Sequence, residues 1–267
     1  MLAVVTGASS GIGAAFARKL AARGCNLLLI ARRQDRLLSL AREVSELYHV
    51  SAEALAADLT EPAGLAAVAT RIREAPDLGL LVNNAGFGTH GYFDEATMES
   101  QVGMHKLHVV AVLCLSRAAL ENLKPRATPG TGIINVSSVA AFGSSPHNVS
   151  YCATKAWMNR FTEGLAIELG AAGSPVRVQA LCPGFTLSEF HDVLGMDRSA
   201  IPARFWMTAD FVAEESLRGF ARGDLIVIPG WRYRALVRLL KCIPASLQRR
   251  ASVAITRRFR RPRQAVC

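Results

Sequence analysis

Tyr151 and Lys155 stand four residues apart in Tyr151–Gly170, a stretch whose pattern predicts a helix, so both side chains project from one face. An isolated phenol ionises at about pH 10. A neighbouring ammonium favours phenolate and lowers that value. The pair could therefore give or take a proton near neutrality. Ser138 lies shortly upstream, at the end of an apolar run, and its hydroxyl could polarise a carbonyl oxygen. His147, four residues before Tyr151, reads as a loop residue near the mouth of such a site.

A second chemistry sits at the other end of the chain. Thr6-Gly7-Ala8-Ser9-Ser10-Gly11-Ile12-Gly13 falls between a short apolar strand and a helix. Glycines there permit a tight turn, and backbone N–H groups at a helix start favour a pyrophosphate. The spacing differs from the usual Gly-x-Gly-x-x-Gly, but its strand–turn–helix placement points to a dinucleotide. Arg32 and Arg33 follow the second strand, where an adenosine ribose would lie. No carboxylate is there to bind a 2′-hydroxyl, and two guanidiniums suit a 2′-phosphate, so NADP(H) is expected over NAD(H). Asn83-Asn84-Ala85-Gly86 is a small-residue turn after a later strand.

These residues need a scaffold that brings them together. Strands are expected at Ala3–Thr6, Asn26–Ala31, Ala52–Ala57, Gly79–Asn83, Gly132–Ser137, Val176–Leu181 and Leu225–Ile228. Helices are expected at Ala14–Arg23, Gln34–Tyr48, Pro62–Ala75 and Tyr151–Gly170. This alternation implies an α/β, doubly wound, mostly parallel seven-stranded sheet of Rossmann type, with helices on both faces. Ligands of such sheets bind beyond the carboxyl ends of the strands. Residues 1–230 read as one catalytic domain with a lid at about 185–207, and 231–267 as a basic amphipathic extension.

The motifs together resemble the short-chain dehydrogenase/reductase family over roughly Leu2–Gly230. The resemblance implies that Tyr151 is the general acid/base, that Lys155 lowers its pKa and holds the nicotinamide ribose, and that Ser138 orients the substrate oxygen. It implies cofactor contacts from Gly7, Ser9, Ser10, Gly11, Ile12, Gly13, Arg32, Arg33, Asp58, Leu59, Asn84, Ala85, Gly86, Pro183, Gly184, Thr186 and Ser188. It also implies a homodimer or tetramer through the Tyr151 helix. One position departs from the pattern: where the family carries an Asn in its proton relay, this chain has His108. That imidazole either joins the relay as a titratable group or replaces a residue at a helix kink with the relay unaltered.

The 267-residue chain carries a formal charge of +10, but Arg232–Arg263 holds eleven Lys/Arg and no acid. Subtracting eleven leaves −1 for the rest. Leu236, Leu239, Leu240 and Ile243 form one stripe in that segment, and Leu247, Ala251, Ala254, Ile255 and Phe259 another. The stripes suit an anionic membrane surface or docking on protein, and no nucleic-acid fold accompanies them. The lid holds Phe185, Leu187, Phe190, Val193, Leu194, Met196, Phe205, Trp206 and Met207, which fits an apolar substrate or ordinary packing. No transmembrane helix or signal peptide stands out. Six scattered cysteines read as reduced thiols, and a cytoplasmic protein, peripheral at the inner membrane surface if the basic segment binds lipid, is expected. The leading function is NADP(H)-dependent interconversion of a small-molecule carbonyl and alcohol. A non-catalytic NADP-binding sensor or scaffold, and an isomerase or dehydratase on the same fold, are the alternatives. No metal site is expected.

Overall fold

A computed structural model of the chain describes residues 1–259, apart from His90, Ala127, Pro129 and 190–200. Seven strands form one parallel sheet: β1 (Leu2–Thr6), β2 (Asn26–Ala31), β3 (Ala52–Ala56), β4 (Leu78–Asn83), β5 (Gly132–Val136), β6 (Arg177–Leu181) and β9 (Ile226–Val227). Their spatial order is β3-β2-β1-β4-β5-β6-β9. The order reverses between β1 and β4, which opens a crevice at the carboxyl ends of those strands.

The strands read as continuous apolar runs because both faces are covered. Ala3 and Val5 of β1, with Leu27 and Leu29 of β2, pack against α1 (Gly11–Ala21), α2 (Gln34–Tyr48) and α7 (Ala209–Arg222). Their neighbours Val4, Leu28 and Ile30 face α3 (Pro62–Arg73), α5 (Val112–Leu123) and α6 (Val149–Ala171) on the other side. A shift of one residue in register would exchange the two sets.

β2 and α2 occupy the expected residues, and most other elements differ by a residue or two at their ends. Three features had no counterpart in the sequence pattern. The helix α7 buries Ala213, Ser216 and Gly219 beside Val212, Leu217 and Phe220, and small residues weaken an apolar stripe. Thr186–Leu187 (β7) and Met207–Thr208 (β8) form a separate parallel pair, too short for a visible period. Helix α4 (Met98–His105) runs into α5 through a π-helical turn, Lys106–Ala111. The combined helix Met98–Leu123 is long and apolar enough to cross a membrane. Its Ala111, Leu115, Ala118, Ala119 and Leu123 instead pack in the core against the sheet.

The basic segment forms α8 (Trp231–Cys242) and α9 (Ala245–Phe259), broken by Pro244. Tyr233 and Val237 of α8 are buried. Tyr233 packs over Gly184, accepts a hydrogen bond from the Phe185 N–H at 3.0 Å and donates one to the Phe205 carbonyl at 2.7 Å. Its ring fills the space that the absent Cβ of Gly184 leaves.

Candidate active site

The cofactor end is shaped by missing side chains. Gly7 has a left-handed φ of +66°, and a Cβ there would lie 2.8 Å from the Ala85 Cα. A Cβ on Gly13 would lie 2.3 Å from the Gly7 carbonyl oxygen, so α1 starts hard against the turn. Gly13 supports the turn from behind and does not line the cleft. Asn84 has a similar part: its amide donates to the carbonyls of Thr6 and Gly7 at 2.9 and 3.2 Å. The Thr6 hydroxyl accepts from the Asn84 and Ala85 N–H groups, both at 2.9 Å. Thr6 thus ties β1 to the end of β4, a role its place in the motif did not reveal.

Gly7, Ser9, Ser10, Gly11, Ile12, Arg32, Arg33, Asp58, Leu59, Asn84, Ala85 and Gly86 line one cavity of about 1030 Å³. Ser138, Tyr151, Lys155, His108, Pro183, Gly184, Thr186 and Ser188 line the same cavity. The expected residues therefore converge, Gly13 excepted. The side chain of Ser10, at the N-cap of α1, accepts nothing from the helix, and no acid occupies the first turn. That leaves a positive helix end for an anion. The glycine cradle and this helix start fit a dinucleotide.

Arg33 donates to the hydroxyls of Ser9 and Ser10, each at 3.0 Å, and pairs with Glu189 at 2.8 Å. Arg36 also pairs with Glu189, and together the two guanidiniums hold that carboxyl down at about 2. Neither Arg36 nor Glu189 stood out in the sequence. The signal for Arg36 was its position three residues beyond Arg33, one helical turn away. Arg32 is more exposed and lies 3.9 Å from Asp58, whose other oxygen accepts from the Thr60 N–H and hydroxyl.

Tyr151 and Lys155 are four residues apart on α6, and Lys155 Nζ lies 5.7 Å from the Tyr151 ring. Ser138 caps a short 3₁₀ turn, its hydroxyl accepting from the Ala140 N–H at 3.1 Å, and hydrogen-bonds Tyr151. Lys155 Nζ donates to the Val136 carbonyl at 2.8 Å, and burial lowers its pKa to about 7. Burial raises the Tyr151 phenol to about 12, against the opposing hydrogen bond from Ser138. The expectation of a lowered tyrosine pKa is thus corrected. Desolvation of the phenolate outweighs an ammonium that is itself half-neutral near pH 7 and turned toward a backbone carbonyl.

His108 is fully buried in the π-helical turn. Its Nδ1 lies 3.0 Å from the Thr154 hydroxyl, which donates to the Tyr151 carbonyl at 2.9 Å. The single Thr154 proton being committed there, Nδ1 carries the imidazole proton and donates. Nε2 is a bare acceptor, buried without a hydrogen-bond partner beside Gly86. Burial first, then the nearby Lys155 and His105 charges, hold its pKa well below the usual 6.5. The reading of His108 as a group titrating near neutrality is corrected accordingly. His147 packs its ring 4.2 Å from that of Tyr92.

The far wall of the cavity comes from α8 and α9. Leu236, Leu240, Ile243, Leu247 and Ala251 line the same cavity as Ser138 and Tyr151. Part of the two expected stripes therefore docks on the body. Ile255 and Phe259 have no described side chains, and Phe190, Val193, Leu194 and Met196 fall outside the described residues. Phe185 and Trp206 pack together, ring centroids 5.5 Å apart. Among the described residues, Cys25, Cys114, Cys152, Cys182 and Cys242 are free thiols, and no metal-ligating cluster occurs.

A parallel sheet with a glycine cradle at its switch point and a Ser–Tyr–Lys group beside it defines a dinucleotide-dependent oxidoreductase. The family model for short chain dehydrogenases matches residues 1–198. The chain belongs to the short-chain dehydrogenase family and is an oxidoreductase of CH–OH/C=O groups. It is 30% identical over 230 residues to a 7beta-hydroxysteroid dehydrogenase of Collinsella aerofaciens, with 86% of each chain covered. A short-chain dehydrogenase from Sphingobium yanoikuyae, solved with NADPH, superposes with a TM-score of 0.81 at 36% identity, covering 91% of this chain and 96% of that one. The bulky-bulky ketone specific alcohol dehydrogenase of Comamonas testosteroni gives 0.77 at 31% identity, covering 100% and 96%.

Proposed function

We propose that this enzyme uses NADPH to reduce a bulky, apolar ketone to its alcohol. The observation that carries the reading is the shared cavity. It is lined by the glycine cradle suited to a dinucleotide, by leucine and isoleucine of α8 and α9, and by Ser138 and Tyr151. A relative acting on hydroxysteroids and a structural neighbour specific for bulky ketones support the substrate class.

Bound NADPH would supply the hydride to the carbonyl carbon. Ser138 and Tyr151, hydrogen-bonded to each other, present two hydroxyls to the carbonyl oxygen. Tyr151 donates its proton to that oxygen as it gains charge, and a phenol near 12 is fully protonated for this task at neutral pH. Lys155, fixed by the Val136 carbonyl, holds the cofactor ribose and replaces the Tyr151 proton. Arg32 and Arg33 take the 2′-phosphate, Arg33 already positioned by Ser9 and Ser10. Asp58 would hold the adenine, and Pro183, Gly184, Thr186 and Ser188, which line the same cavity, would hold the nicotinamide.

The exposed Ile167 of α6 supports a homodimer through that helix, and the free thiols support a reducing, cytoplasmic setting. NADPH oxidation against a panel of steroid, diaryl and small aliphatic ketones, with NADH in parallel, tests the proposal. Bulky ketones with NADPH should show the highest kcat/KM. Equal efficiency on acetone-sized ketones, or with NADH, removes the corresponding part, and no turnover of any carbonyl leaves the sensor reading.

A further inference from the structure

The α8–α9 hairpin has two faces, and the cavity uses only one. On α9, Leu247, Gln248, Ala251 and Ser252 line the cleft. Arg249, Arg250, Val253, Ala254 and Arg257 lie on the opposite side of that helix, around a separate shallow groove. On α8, Leu236, Val237 and Leu240 turn inward. Helical spacing places Trp231, Ala235, Arg238 and Leu239 on its outward side. Trp231, Leu239 and Val253 are 65%, 59% and 50% exposed.

Several charges on this outer face meet no carboxylate among the described residues. Of the basic residues on α8 and α9, Arg234 pairs with Glu215 at 3.6 Å. Lys241 lies over the Phe142 ring at 5.2 Å and Arg232 over Trp231 at 4.9 Å. Among the described residues, no carboxylate meets Arg238, Arg249, Arg250 or Arg257. Elsewhere most of the described surface arginines pair with a carboxylate, as Arg18 does with Glu43 and Arg71 with Glu53. A surface on which the described Arg238, Arg249, Arg250 and Arg257 meet no carboxylate, with exposed apolar side chains between them, calls for an anionic partner that is also apolar. A second copy docking face to face would set these cations against their own equivalents. A nucleic acid would neutralise them but leave Leu239 and Val253 without a counterpart.

We infer that the outer face of the α8–α9 hairpin docks on an anionic lipid surface. Arginines meet lipid phosphates while Trp231, Leu239 and Val253 enter the headgroup boundary. The hairpin that lines the substrate cavity then lies against the bilayer, which would bring an apolar substrate dissolved in lipid close to the cleft. This last step rests on the proposed ketone reduction; the docking does not.

Cosedimentation of the full chain with unilamellar vesicles tests the docking without recourse to turnover. Binding to equimolar phosphatidylcholine and phosphatidylglycerol should exceed binding to phosphatidylcholine alone by at least about ten-fold and collapse in molar salt. Replacing Arg249, Arg250 and Arg257 together by Gln should weaken it by about a hundred-fold, at about five-fold per cation lost, with NADPH affinity retained as the folding control. The charge-neutral pair Trp231→Ser and Leu239→Ser should weaken it as well. Equal binding to both vesicle types, none to either, or an unaffected triple variant overturns the proposal. So does tighter capture of a DNA duplex than of vesicles, or loss of a dimer in the triple variant instead of loss of lipid binding.

Discussion

The two ends of the cavity are built by opposite means. At the cofactor end, backbone approaches backbone: Gly7 and Gly13 leave no room for a Cβ, and Thr6 and Asn84 stitch the turn to β4. At the substrate end, side chains from α8 and α9 line the cleft, and Leu236 and Leu247 remain 42% and 52% exposed. The first end is fixed by covalent geometry and tolerates almost no substitution. The second is a packed but shallow wall that can change shape and specificity without disturbing the chemistry. Tyr151 and Ser138 stand at the junction.

Perturbing each part should separate these roles. The largest effect belongs to the junction: Tyr151→Phe should lower kcat by about 100-fold or more, since general acid catalysis is worth at least that, while NADPH affinity by fluorescence titration changes little. Turnover above roughly a tenth of wild type would remove Tyr151 as the proton donor. At the substrate end, Leu240→Asp should raise KM for a bulky ketone by about ten-fold or more, the cost of setting a carboxylate against apolar substrate, with NADPH affinity unaltered. Equal loss of cofactor binding would mean that the two ends are not separable. At the cofactor end, Arg33→Ala should cut the NADPH-over-NADH preference by about ten-fold, the worth of one charge-assisted contact. Preference ratios from initial rates decide it.

The cofactor end was the more legible in sequence for the same reason that it is rigid. A Cβ excluded at Gly7 leaves a glycine in the chain, and a glycine at a strand–helix junction is visible without a structure. Tyr151 and Lys155 were legible because one helix carries both. The substrate wall was legible only as amphipathic stripes. Leu236, Leu240 and Leu247 repeat at helical spacing, but a stripe does not say which surface it meets. Tyr233 is the sharpest case, an aromatic among arginines that is buried because Gly184, far away in sequence, makes room for it. Glu189 and Arg36 were missed because an ion pair between distant segments leaves no local pattern.

Lys155 adds a smaller effect, on stability. Its folded pKa of about 7 lies below the usual 10.5, so the unfolded chain binds more protons between those values. Stability from this residue must therefore rise as pH increases from about 7 to 10.5. Tyr151 works in the opposite sense above pH 10, where the unfolded phenol ionises before the folded one at about 12. Lys155→Met should be inactive yet melt higher than wild type at pH 7, with the gap closing toward pH 10. A lower melting temperature across that range would mean that the bond to Val136 outweighs desolvation.

The smallest effect is expected where the junction departs from its family. If His108 carried protons near neutrality, its replacement would move the pH profile. The neutral imidazole, donating from Nδ1 to Thr154 and buried at Nε2, has no second protonation state within reach of the working range. His108→Phe keeps a flat ring of somewhat larger size, removes a buried acceptor that has no partner among the described residues and gives up one hydrogen bond worth about 1 kcal/mol. The kcat/KM–pH profile for ketone reduction should keep its shape and lie within about three-fold of wild type, below what removing a general acid or base costs. A new or displaced inflection between pH 5 and 8 would instead show that the Tyr151–Thr154–His108 chain conducts a proton. The rigid floor of the cleft would then extend through α6 into the π-helical turn.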